Sequence, residues 1–139
     1  MKNATFAEKA LSFFVLLDIF AVPLVVFPGR IFSFVTSKSF FFMGLAEITF
    51  FLWAYLATVN SKYRLSKRQI IVFLVPIALL ISFTISGILA PNSNVAFWSS
   101  FERGSGIIFL YHCLAFAVVV ASLAKVHGKE FLTKIYKAV

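Results

Sequence analysis

The chain has 139 residues, of which 61% are hydrophobic, 18% aromatic and only 13% charged. A water-soluble domain of this length cannot hide 19 Phe side chains, which excludes an ordinary globular enzyme or binding module. The net charge of +8 lies between and beyond the apolar runs rather than in one stripe, so it reads as a topology signal and not as a nucleic-acid surface.

A helix needs roughly 20 apolar residues to cross a hydrocarbon core of about 30 Å. The first such run, "ALSFFVLLDIFAVPLVVF", covers residues 10–27 and stops at Pro28 and Gly29. Lys2 and Lys9 ahead of it resemble the start of a signal peptide. The run is long, carries Asp18 and has no small-x-small cleavage site, so it is expected to be a retained span. The Phe-rich stretch "IFSFVTSKSFFF", residues 31–42, is interrupted by Ser and Thr. It is predicted to lie as an interfacial segment between the first two spans.

The second span is predicted over 40–59, and "NSKYRLSKRQ" follows it as a solvated loop with four cations and no acid. The third span is predicted over 70–89, kinked at Pro76. A polar connection then contains a turn at Pro91 and Asn92 and the segment "FWSSFERGSG". The fourth span is predicted over 107–123, and its basic tail is expected to continue as an interfacial helix. The expected fold is all-α: one polytopic membrane domain over 1–139, a bundle of four transmembrane helices. All Lys and Arg except Arg30, Lys38 and Arg103 fall before the first run, in 60–69 or after the fourth run. The positive-inside bias therefore puts both termini in the cytoplasm and the loop with Glu102 and Arg103 outside.

Three ionisable residues fall inside the runs: Asp18, Glu47 and His112. A charge at mid-helix costs about 2.5–3.5 kcal/mol on insertion scales, so such groups face protein or water and often mark a site. Glu47 and His112, both counted to the outer half of their spans, form a candidate intramembrane pair. Each reads either as a packing group or as part of a substrate or proton path, and the packing alternative weighs more for Asp18. Outside, Arg103 offers a planar fork for phosphate or carboxylate and Glu102 is placed to orient it. The free amides around Gly104 and Gly106 favour an anion at the helix start. The same residues also make an ordinary charged helix entry. Cys113 is the single cysteine, which excludes an internal disulfide. The chain has no metal-binding spacing, phosphate loop, dinucleotide fingerprint or nucleophile elbow, so no metal, cofactor or catalytic residue is assigned.

Taken in order, "SFVTSKSFFFMGLAEITFFLWAYLA", "KYRLSK" and "NVAFWSSFERGSGIIFLYHCLAF" make residues 31–124 resemble the N-terminal part of the O-antigen ligase and O-antigen polymerase-like family. The resemblance implies a bacterial inner-membrane glycosyltransferase of the GT-C type, moving a glycan from an undecaprenyl-diphosphate carrier at the outer face. It puts Glu47, Arg103 and His112 at matching positions, with Glu102 and Arg103 on the rim of a diphosphate or glycan site. The family's catalytic loop lies further along the chain. This sequence is accordingly expected to be an N-terminal section whose partners are the bilayer, the lipid-linked glycan and the remaining helices of a larger transferase. Two other readings remain open: a non-catalytic partner subunit, and a small homo-oligomeric proton-coupled transporter using Glu47.

Overall fold

The computed structural model describes residues 2–26, 35–100 and 105–138. Within them the chain is all helix. The elements are α1 (Lys2–Ala21), a 3-10 turn at Val22–Leu24, α2 (Val35–Val59), a second 3-10 turn at Ser61–Tyr63, α3 (Lys67–Leu89), a short α4 (Ser93–Trp98) and α5 (Ile107–Ala138).

Three helices among the described residues are long and apolar enough to cross a membrane: α2, α3 and the part of α5 from Ile107 to Gly128. The sequence led to an expectation of four. The first run is helical through Ala21 and then tightens into the 3-10 turn, because Pro23 has no N–H for the Ile19 carbonyl one turn back. The helical part of that run is joined to a more polar first two turns that end with Glu8 and Lys9, which dilutes its apolar character.

The region expected to lie flat before the second span differs as well. Residues 35–42 are the first two turns of α2 itself, continuous with the apolar run that follows. Thr36, Ser37 and Ser39 are buried there, and Ser39 Oγ donates to the Val35 carbonyl at 3.1 Å. That back-bond satisfies the hydroxyl from within its own helix. Phe42 packs its ring against Phe109 and Phe116 of α5, at centroid distances of 5.3 and 5.6 Å. The turns of α2 before Phe42 therefore run past the start of α5.

The start of α1, the connection after α2 and the later half of α5 meet at one end of the bundle. Ala7, Leu11 and Val15 form one stripe of α1, spaced by a helical turn, and pack with Leu56, Tyr63, Val119, Leu123 and Phe131. Polar groups hold the same end. Trp53 Nε1 and Ser122 Oγ both donate to the Tyr63 carbonyl, at 3.1 and 2.5 Å. Lys125 Nζ donates to the Arg64 carbonyl at 2.9 Å, and Arg64 Nε to that of Ala57 at 3.0 Å. Ser66 and Gln69 form a capping box at the start of α3, and Gln69 Nε2 reaches the Ala121 carbonyl at 2.7 Å. The Lys and Arg residues of 60–69 thus share one end with Lys9 and Lys125.

Beyond Lys125, α5 turns at Gly128, whose φ of 54° lies in the left-handed region. The turn brings Phe131 back onto the core at 2% exposure. At the other end of the bundle, a Cβ on Gly106 would collide with the Phe97 carbonyl, so only glycine lets α5 begin this close to α4. The outer face of α3 is apolar along its length, with Ile71, Val75, Phe83 and Leu89 among its exposed side chains. Such a face suits lipid rather than water.

Candidate functional site

Glu47 of α2 and His112 of α5 meet across the bundle. His112 Nε2 lies 3.0 Å from Glu47 Oε1, and His112 Nδ1 lies 2.7 Å from the Ile108 carbonyl one turn earlier. A carbonyl only accepts, so Nδ1 carries a proton and donates to it. Nε2 then faces a carboxyl oxygen, and a hydrogen bond between them needs one more proton, on the ring or on the carboxyl. Two arrangements satisfy that geometry, imidazolium–carboxylate and imidazole–carboxylic acid.

The two partners differ in exposure. The His112 side chain is 16% exposed and that of Glu47 61%, so the carboxyl stands at the bundle surface and the ring behind it. His112 follows the start of α5 by about 8 Å at 1.5 Å per residue. Glu47 sits at the middle of α2 by residue count, because that helix begins at Val35 rather than at the expected residue 40. Together they edge a cavity of about 310 Å³ lined also by Phe50, Phe51, Tyr111 and Ala115. Tyr111 is fixed from the side: Thr84 Oγ1 donates to the Leu80 carbonyl at 2.7 Å, so the Tyr111 hydroxyl donates to Thr84 Oγ1 at 2.6 Å. This arrangement offers apolar rings for stacking beside one acid–base pair.

The other sequence candidates are not brought to this place by the described residues. Glu102 and Arg103 lie outside the described residues. Asp18 lies on α1 beside a separate cavity, 2% exposed. Cys113 is half-buried on α5, with Asp18 in its electrostatic neighbourhood. Among the described residues no three His, Cys, Asp or Glu side chains cluster as metal ligands would. Tyr111 and Thr84 went unnoticed in the sequence. Tyr111 beside His112 was the available signal, since a phenol inside an apolar helix needs a partner on a neighbouring helix.

Compared with family models, curated proteins and solved structures, the chain matches none.

Proposed function

We propose that the chain is the N-terminal membrane section of an O-antigen ligase-like transferase, crossing a bacterial inner membrane four times with both termini in the cytoplasm. On this reading residues 10–27 make the first crossing, and the Glu47–His112 cavity takes part of an undecaprenyl-diphosphate-linked glycan near the outer face. The observation that carries it is a carboxyl–imidazole pair at the rim of an aromatic cavity on an otherwise apolar bundle surface. A sugar ring presents a C–H face that stacks on Phe51 or Tyr111, and hydroxyls that bond to Glu47 and His112. The polyprenyl tail belongs against the apolar helix faces. The basic end of the bundle sits opposite, where the positive-inside rule puts the cytoplasm.

The role is one of binding within a larger assembly. Transfer from a diphosphate carrier needs a base for the acceptor and cationic stabilisation of the leaving diphosphate. His112 with Glu47 has the chemistry of a base, but among the described residues no Lys or Arg lines the cavity. On this reading the cations are Arg103, with Glu102 beside it, and those of further helices of the transferase.

The test is photocrosslinking in lipid nanodiscs with a diazirine analogue of undecaprenyl-diphosphate-glycan. Adducts are expected at Phe50, Phe51 or Tyr111, and fall at least several-fold in Glu47→Gln and His112→Ala. Equal labelling by a polyprenyl alcohol without glycan overturns the reading. A proton-coupled transporter is the second reading, favoured by the 3.0 Å contact of Glu47 with His112 and the exposure of Glu47. It requires proton flux in proteoliposomes that disappears in Glu47→Gln.

A further inference from the structure

Asp18 stands apart from everything above. Its side chain is 2% exposed, and both carboxyl oxygens are buried with no hydrogen-bond partner among the described residues. A buried carboxyl without partners is expensive, since desolvation of the charge is offset by nothing. It lines a cavity of about 180 Å³ between α1, α2 and α5, with Ile19, Val22, Pro23, Phe42 and Phe116. By volume that space takes several waters at about 30 Å³ each, so it also takes a small ion with part of its hydration shell.

A second feature of the same place points to positive charge. Asp18 lies in the last turn of α1, where the helix dipole presents its negative end. Pro23 denies the Ile19 carbonyl its i+4 donor, and both residues line the cavity. Among the described residues the neighbouring elements supply no cation of their own. The residues facing the cavity from α2 and α5 are Phe42 and Phe116, and the titratable group of α5 that Asp18 influences is the Cys113 thiol. Lys62, by contrast, is occupied by Glu8 at the basic end.

We propose that the cavity beside Asp18 is a binding site for a small monovalent cation, H⁺ or Na⁺, held by the Asp18 carboxyl at the carbonyl end of α1. This site is independent of the Glu47–His112 cavity, and neither assignment needs the other.

A hydrophobic carbodiimide tests it on the whole chain in nanodiscs. The reagent adds only to a protonated carboxyl: the acid proton goes to a carbodiimide nitrogen, the carboxylate oxygen bonds to the central carbon, and rearrangement leaves a stable acylurea. Mass spectrometry is expected to find the adduct on the peptide holding Asp18 and not in Asp18→Asn. If the cation is H⁺, labelling falls about tenfold per pH unit beyond the midpoint and ignores salt. If it is Na⁺, NaCl protects at fixed pH and an equal concentration of choline chloride does not. Thermal unfolding supplies a second readout, because a ligand that binds only the folded state raises the midpoint. The gap between wild type and Asp18→Asn is expected to change with pH or with Na⁺. Absence of the adduct together with a gap that neither pH nor Na⁺ moves overturns the proposal.

Discussion

Two regions of this bundle spend their polar groups in opposite ways. At the basic end, Trp53, Arg64, Gln69, Ser122 and Lys125 each donate to a backbone carbonyl on another element or beyond the local turn, tying α2, α3 and α5 together. Away from that end, Glu47 at the middle of α2 stands mostly exposed, Asp18 has no partner among the described residues, and a cavity adjoins each. The staples make a frame, although among the described residues the Tyr63 hydroxyl and His127 Nε2 are buried in it without a hydrogen-bond partner, while the carboxyls of Glu47 and Asp18 each border a cavity that a ligand can enter. The frame and the sites are thus separate regions along the same helices.

The sharpest way to break that contrast is to remove a side chain from each region. Tyr63 is fully buried and joins all the core elements at the basic end. Tyr63→Ala is expected to cost about 3–5 kcal/mol, as for other buried aromatics. Phe51, at 71% exposed, lines the candidate cavity, and Phe51→Ala is expected to stay within about 0.5 kcal/mol. Denaturant unfolding in detergent, followed by the fluorescence of Trp53 and Trp98, measures both. Equal costs would mean that the cavity half is as much a part of the frame as the basic end.

A smaller effect tests the polar staples themselves. Trp53 and Ser122 donate to the same Tyr63 carbonyl. Hydrogen bonds between membrane helices average about 0.6 kcal/mol, so Trp53→Phe and Ser122→Ala should each cost on that order in hydrogen bonding. After either single change the carbonyl keeps one donor; after both it is left buried and unpaired. The double variant is therefore expected to cost more than the sum, by about 1 kcal/mol in a double-mutant cycle. Simple addition would show that the carbonyl finds another donor.

What the sequence made legible follows the same division. Long apolar runs fix α2, α3 and most of α5, because length and hydropathy are local properties. Ser66 followed by Gln69 is a local start signal too, and the structure uses it as a capping box. The second task of Gln69, reaching Ala121 fifty-two residues away, has no local signature. Burial was the other blind spot. Thr36, Ser37 and Ser39 suggested an interface, yet the packing of Phe42 on α5 sets where α2 runs and leaves those hydroxyls inside. Glu47 and His112 could be named as intramembrane polar residues from sequence. That they lie 3.0 Å apart while Asp18 sits elsewhere depends on helix rotation, which composition does not encode.

The smallest expected effect concerns the ion pair at the basic end. Lys62 Nζ lies 2.9 Å from Glu8 Oε1, and both side chains are partly exposed, at 45% and 21%. The hydrogen bond from Lys62, aided by its charge, holds the Glu8 carboxyl below its ordinary 4.5 against an opposing push from burial. The same bond raises Lys62 above 10.5. A depressed acid contributes stability that is complete above its unfolded pKa and is lost as pH falls through the folded one. A raised base contributes stability that is complete below its unfolded pKa and is lost as pH rises through the folded one. The contribution is therefore full between about 4.5 and 10.5. Burial also raises the Tyr63 phenol above 10.0, so its ionisation overlaps that of Lys62 and blurs the alkaline limb. The acid limb isolates the pair. Against Glu8→Gln, wild type is expected to be about 0.5 kcal/mol more stable at neutral pH, the usual worth of an exposed pair, and to lose that advantage below pH 4.5. High salt should shrink the difference. An advantage that survives in acid would assign it to the packing of the Glu8 stem on the core, and the basic end would then owe its rigidity to apolar contacts and backbone staples alone.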